Sequence, residues 1–250
     1  MAFTSHNIRL ADGSYTMPEM DSVLEDYEWL TSAKRYVNMV FGNDASSKSV
    51  IDLGCLEGGY TVEFARMGMR SLGLEVRASN FENCEYVKKN VEELPIHFVR
   101  DDAWNADKYG NFDLVFCSGL LYHLDRPRQF IDLIGKIARK MVIIHTHYAP
   151  EEDSSVFTLS PITEHDGCRG RWYHEHESDK MEEIETYSWS SWTNKDSFWM
   201  SKSEILKSLQ KNGFDIVFEA FDFLRGDIAE SMRNGYYAKE SRGMFIGIRS

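Results

Sequence analysis

The stretch that most narrows what this chain can become is Val50-Ile51-Asp52-Leu53-Gly54-Cys55-Leu56-Glu57-Gly58-Gly59-Tyr60. Val50 to Leu53 reads as a buried strand, the glycine-bearing segment after it as a turn, and Tyr60 to Met67 as the opening of an amphipathic helix. Gly54, Gly58 and Gly59 lack a Cβ and can take positive φ, so a loop of this shape brings backbone N–H groups close to a ligand. Glycine-rich turns after strands also serve simply as tight connections, so the loop alone does not decide the matter.

The chain around it repeats the same alternation. Ser71 to Glu75, Ile96 to Val99, Phe112 to Cys117 and Met141 to His145 read as further strands. Helices are expected from Ala78 to about Val91 and from Pro127 to Arg139. Strand and helix alternating at this spacing argue a parallel sheet covered on both faces. Before it, Asp12-Gly13 marks a hairpin, and apolar residues at helical spacing predict a helix from Glu19 to Phe41, most simply a packing cap. After it, Tyr148 to Ser197 shows little periodicity and is rich in Trp, Tyr, His, Ser and Glu; a structureless loop of that length is unusual, so a folded insertion or lid is expected. A helix over Ser203 to Asn212 and strands at Phe214 to Phe218 and Met244 to Ile248 close the chain. The expected organisation is an N-terminal hairpin and helix over 1–45, then one domain over 46–250 with its insertion at about 148–200.

In an open parallel sheet, ligands sit past the carboxyl ends of the strands. Asp52-Leu53-Gly54, Glu75, Asp102-Ala103 and Ser118-Gly119-Leu120 each end a strand. An acid some 20 residues beyond a glycine loop is placed to accept from both hydroxyls of a ribose, which is the position of Glu75. Asp102 can accept from the exocyclic amine of a purine, with Ala103 and Trp104 beside the ring.

The motifs VIDLGCLEGGY, GLEVR, RDDAW and FDLVFCSGLLYHLDRP, in that order over Val50 to Arg128, resemble those of class I S-adenosylmethionine-dependent methyltransferases. The resemblance implies an α/β, Rossmann-like three-layer sandwich. Its seven-strand sheet would be mostly parallel with an antiparallel last strand at Met244 to Ile248, with the N-terminal helical cap and an insertion after strand five. It implies that Asp52, Gly54, Cys55, Glu57 and Gly58 lie about the methionine part of S-adenosyl-L-methionine, that Glu75 with Val76 holds the ribose, that Asp102, Ala103 and Trp104 bind adenine, and that Ser118 and Gly119 run beside the sulfonium. Leu56 stands where such proteins usually have a second glycine, which argues against a dinucleotide pyrophosphate.

Methyl transfer to a hydroxyl needs a base near neutral pKa. His145 and His147 fall on the same side of strand five, and with His174 they are the candidate catalytic residues. His123, Arg171, Trp172, Tyr173 and Trp192 are candidate acceptor contacts, because aromatic faces interleaved with charge suit a polyhydroxylated acceptor, although a small satellite core explains the same cluster. His145, His147, His174 and His176 permit a divalent metal, but two HxH pairs at this separation match no standard zinc spacing and none is assigned.

With 28 basic and 40 acidic residues, a net charge of −12, the composition disfavours a phosphate-tracking surface, so nucleic acid is not the favoured partner. Four scattered cysteines read as reduced thiols, and no apolar run reaches the roughly 18 residues of a membrane span. The expectation is a cytoplasmic enzyme, away from membranes, that O-methylates a sugar, a glycan or a small natural product. The alternatives are a tRNA methyltransferase and an S-adenosylmethionine-binding partner protein without catalysis.

Overall fold

The computed structural model describes residues 2–42, 45–224, 228–234 and 239–250. Strand β1 (Ser49–Leu53) is buried along its whole length, as a strand flanked on both edges and covered on both faces must be. It pairs in parallel with β2 (Arg70–Glu75) on one side and with β4 (Phe112–Ser118) on the other, and β2 pairs in parallel with β3 (Ile96–Arg100). Strand β5 (Ala138–His147) meets β10 (Arg242–Ile248) in antiparallel register, His147 opposite Arg242, and β10 meets β9 (Ile216–Ala220) likewise. The seven strands lie in the order β3-β2-β1-β4-β5-β10-β9. Strand order reverses beside β1, which is the switch point at which such sheets bind ligands. The sheet is the expected mostly parallel one with an antiparallel last strand.

Two compact units divide the chain, Met1–Phe116 and Cys117–Ser250. In the first, α2 (Gly59–Arg66) and α3 (Ala78–Asn90) return the chain between parallel strands. The helix expected from Glu19 begins only at α1 (Glu28–Phe41), after a 3-10 turn at Leu24–Asp26. Asn7 explains the delay. Its side chain accepts the Met17 N–H at 2.9 Å and donates to the Ser22 carbonyl at 3.1 Å, while its carbonyl takes the Leu24 N–H at 2.9 Å, so residues that the apolar spacing assigns to a helix are held as loop. The Asp12-Gly13 hairpin is present, with Leu10 N–H bonded to the Ser14 carbonyl at 2.8 Å.

The N-terminal segment is strapped over the turn that follows β1. Glu57, fully buried, accepts the N–H of Thr4 at 2.5 Å, of Ser5 at 3.2 Å and of His6 at 2.8 Å. The His6 imidazole in turn accepts the Gly59 N–H through Nδ1 at 3.2 Å, capping the first turn of α2. Burial pushes the His6 pKa down to about 3.

In the second unit α4 (Pro127–Ile137) precedes β5, and α6 (Lys202–Lys211) precedes β9. Residues 148–200 fold, as the length argument requires, into a separate antiparallel sheet of β6 (Thr163–His165), β7 (Cys168–His174) and β8 (Asp196–Met200), with a short helix α5 (Met181–Glu185). A last helix, α7 (Ile228–Asn234), lies between β9 and β10. The strand expected at Phe214 starts at Ile216 instead, because the Phe214 N–H still reaches back to the Leu209 carbonyl to close α6. All four cysteines are free and buried, and among the described residues no helix is long and apolar enough to cross a membrane.

Two predictions arise from this packing. A Cβ on Gly170 would strike the Trp199 carbonyl and the Phe198 ring, so Gly170→Ala should destabilise the protein by about 1–3 kcal/mol in denaturant unfolding; a midpoint within error of wild type would contradict the β7–β8 register. His6 stays neutral in the fold while its unfolded counterpart protonates below about pH 6.5, so its contribution to stability is intact above that pH and is lost as pH falls toward 3. His6→Asn, which keeps an acceptor for Gly59 without a titrating ring, should show a shallower acid loss of melting temperature, and a superimposable pH profile would remove His6 from that role.

Candidate active site

In the first unit the expected cofactor residues gather at the carboxyl ends of β1, β2 and β3. Gly54, Leu56 and Gly58 all have positive φ, at 68°, 52° and 81°. Leu56 therefore takes the left-handed conformation that glycine usually supplies, at a cost of about 1–2 kcal/mol for a residue with a Cβ. Its N–H donates to Glu75 Oε2 at 2.9 Å, which holds the strained turn in place. The other oxygen of Glu75 accepts the Arg77 N–H at 2.8 Å and the Asn80 amide at 3.4 Å. Three of the four lone-pair sites are thereby used, and one on Oε2 remains.

Asp52 is buried behind the same turn and accepts the Thr61 hydroxyl at 2.8 Å. Desolvation raises both acids to about 7, with the Glu75 charge adding to the rise at Asp52. Cys55 packs against Cys84, their sulfurs 3.9 Å apart, and desolvation raises both thiols. Glu57 sits in the turn, but its carboxylate is taken up by Thr4, Ser5 and His6.

Asp102 caps the 3-10 turn Ala103–Tyr109 by accepting the Trp104 N–H at 2.9 Å, which occupies one of its oxygens. The Asp101 N–H donates to the Glu75 carbonyl at 3.2 Å, tying this turn to the end of β2. Val76 is half-buried and its carbonyl accepts from Arg100. Ala103 is buried and Trp104 half-buried beside it. The set brings together an oriented acid with one lone pair left on Oε2, a second acid one strand over, and backbone at positive φ in the turn after β1.

In the second unit Ser118 and Gly119 leave β4 directly beside β5. The Gly119 N–H donates to the His145 carbonyl at 2.9 Å, and Ser118 Oγ lies 3.4 Å from His145 Nδ1. Gly119 has φ 76°, and a Cβ there would meet Arg242 at 3.7 Å and the Tyr122 hydroxyl at 3.8 Å, ordinary contact distances, so the positive φ and not space is what favours glycine. His147 gives its Nδ1 proton to the Glu240 carbonyl at 2.6 Å and stacks on Trp199 at 4.9 Å with an interplanar angle of 13°. Burial and the Arg242 guanidinium hold His145 well below its usual value and bring His147 down to about 3, so both are neutral.

The Tyr122 ring lies between His147, at 4.6 Å, and His123, at 4.1 Å. His123 Nδ1 is 2.8 Å from Glu175.

The remaining acceptor candidates are spread out. Tyr173 tilts against Trp199 at 5.2 Å, but Trp172 packs on Phe198 and His165 as part of the small sheet's own core. Arg171 directs its guanidinium to the carbonyls of Pro150, Glu151 and Ser160 and to Asp153, which fixes the loop after β5. His174 is exposed at the far end of β7, paired with Asp196 at 2.8 Å and Glu177 at 3.1 Å, which raise its pKa; it does not join His145 and His147. Trp192 is half-buried in the loop before β8. Among the described residues no cluster of three His, Cys, Asp or Glu side chains is placed to hold a metal ion.

Several residues here had weak sequence signals. Arg242 reaches His147 only through antiparallel register across β10, Trp199 and Phe157 meet His147 from the insertion, and Glu175 lies some fifty residues from His123. A cavity of about 580 Å³ is lined by Asp153, Ser154, Phe157, Leu159, Ile162 and Arg171, and its Phe157 is 5.1 Å from the His147 ring.

Residues 51–144 match the family model described as a methyltransferase domain. The tRNA U34 carboxymethyltransferase of Campylobacter jejuni is 26% identical over 138 residues, 54% of this chain and 47% of that protein. The ubiquinone biosynthesis O-methyltransferase of Erwinia tasmaniensis is 27% identical over 124 residues, 45% of this chain and 43% of its own length. The matches thus span less than half the length of these curated relatives. The N-terminal domain of EvdMO1, crystallised in the presence of SAH and D-fucose, superposes with a TM-score of 0.64 at 21% identity, covering 92% of this chain and 85% of that one, which extends the shared fold across both units. With the strand order, the loop after β1 and the acid ending β2 all in place, residues 51–144 match a methyltransferase domain, and the sheet has the Rossmann-like methyltransferase fold.

Proposed function

We propose that the protein transfers a methyl group from S-adenosylmethionine to a hydroxyl of a sugar, glycan or small natural product. The observation that carries the cofactor assignment is Glu75. Its carboxylate ends β2, is oriented by the N–H groups of Leu56 and Arg77 and by the Asn80 amide, and keeps a lone pair on Oε2 for a ribose hydroxyl. Asp52 and the Gly54–Gly58 turn serve the methionine part, Asp102 to Trp104 the adenine, and Ser118 with Gly119 the sulfonium end. When bound, the cofactor supplies an activated methyl on a good leaving group, and the chain's own task is alignment and proton removal.

The O-acceptor reading draws support from the second unit. The cavity of Phe157, Ser154 and Arg171 offers hydroxyl and apolar walls together, and Phe157 joins it to the His147, Trp199 and Tyr173 cluster. Rings of this kind pack on CH faces while polar edges take hydroxyls. In this reading Tyr173 and Arg171 border the acceptor, and residues 148–200 form the acceptor-binding insertion.

A second reading has one specific observation behind it. The similarity to tRNA U34 carboxymethyltransferases makes a nucleic-acid acceptor the rival, against a net charge of −12. Label transfer from methyl-labelled S-adenosylmethionine to a panel of sugars, phenols and bulk tRNA separates the two. Transfer to hydroxyl compounds with no salt-dependent retention of tRNA is expected; tRNA labelling with a steep salt slope would replace the first reading by the second.

The raised acids set the pH dependence of cofactor binding. A diol donates to the ionised carboxylate, whereas the apo protein keeps Glu75 protonated up to about pH 7. S-adenosylhomocysteine should therefore bind more tightly as pH rises toward 7, release protons on binding, and level off above it. Calorimetry in buffers of different ionisation enthalpy measures the release. Glu75→Gln should weaken binding by about 10- to 100-fold and flatten that pH slope. Unchanged affinity in this variant would sink the ribose assignment.

A further inference from the structure

The turn after β4 carries a histidine whose surroundings differ from those of His145 and His147. His123 ends the 3-10 turn Leu121–His123, and its carbonyl is held by the Asn194 amide at 3.1 Å. Its Nδ1 lies 2.8 Å from Glu175 Oε1, and the Glu175 side chain is 1% exposed. The Ser197 hydroxyl donates to the same carboxylate oxygen at 2.7 Å, and the Ser191 N–H donates to the other at 3.2 Å. A carboxylate so held accepts, so Nδ1 carries the proton and Nε2 presents its lone pair. No described residue bonds Nε2, and the imidazole is 14% exposed.

His147 and His145 are arranged the other way. His147 spends its Nδ1 proton on a neutral carbonyl, is sandwiched by Trp199 and faces Arg242; His145 has the Ser118 hydroxyl and the same guanidinium nearby. The Arg242 guanidinium and burial oppose an imidazolium formed on either. On His123 it would form directly against a buried, already oriented anion.

We propose that His123 is the general base for the acceptor hydroxyl and that Glu175 is the positioning residue behind it. The inference rests on the O-methyltransferase reading. As the acceptor oxygen bonds to the methyl carbon, its proton passes to His123 Nε2, and the electrons of the breaking carbon–sulfur bond remain on sulfur as a neutral thioether. The ionisable groups against the imidazole are Glu175 beyond β7, Tyr122 on its own turn and His147 on β5, with Arg242 of β10 over the Tyr122 ring, and of these Glu175 bonds the imidazole.

The test uses the full chain labelled with 15N-histidine, with the His123 signals identified by their loss in H123N. His123 should be the Nδ1–H tautomer, and E175Q should weaken that tautomer preference; E175D, which withdraws the carboxylate from Nδ1, serves if E175Q does not fold. In methyl transfer, H123A should lose about 100-fold or more in kcat while binding S-adenosylhomocysteine within about twofold of wild type. E175Q should lose about 10-fold in kcat with KM kept. An Nε2–H tautomer in the wild-type chain, a tautomer preference unmoved by E175Q, or wild-type turnover in H123A overturns the proposal. A wild-type protein that binds S-adenosylhomocysteine but labels no acceptor fails the underlying reading as well, whereas an unmoved tautomer in an active enzyme fails this proposal alone.

Discussion

The bond from the Leu56 N–H to the Glu75 carboxylate is the constraint on which the cofactor half depends. It links the turn after β1 to the end of β2, and it holds a β-carbon-bearing residue in a conformation that costs energy elsewhere. Burial disfavours the ionised form of Glu75, and the Leu56 and Arg77 N–H groups and the Asn80 amide offset part of that cost. The same acid thus shapes the loop after β1, and Asp52, buried nearby and bonded to the Thr61 hydroxyl, repeats the arrangement on β1.

The second unit sorts its histidines by what stands opposite each ring. Arg242 and the aromatic wall keep His145 and His147 uncharged and make them shape, fixed surfaces for whatever packs there. Glu175 makes His123 a different object, a ring whose tautomer is set and whose positive form has a partner. Strand alternation alone treats His145 and His147 as a matched pair of candidates; the electrostatics separates both of them from the residue on the turn.

The sheet was legible because parallel strands buried on both faces leave apolar runs bounded by Gly, Pro and acid. Val50 to Leu53, Phe112 to Cys117 and Met244 to Ile248 each fell within a residue or two of the observed strand. The helix start at Glu28 was not legible, because Asn7, far away in sequence, takes the backbone groups that a helix would have used. Strands β7 and β8 were hidden for another reason: Ser197 to Met200 is buried on both faces, while Arg171 on β7 is buried with its charge on carbonyls, so neither strand shows the expected alternation. Glu75 and Asp102 could be found from strand ends alone. Glu175 could not, since its partner is named only by the folded insertion.

The strap of residues 4–6 carries a consequence for how the chain assembles. Thr4, Ser5 and His6 bond to a carboxylate and a helix end that lie 51 to 53 positions later, so these residues cannot seat until β1 and the turn after it have been made. Their seating closes a loop whose entropy is recovered only when Glu57 is in place to accept it. The strap thereby locks the turn after β1 and does not nucleate it.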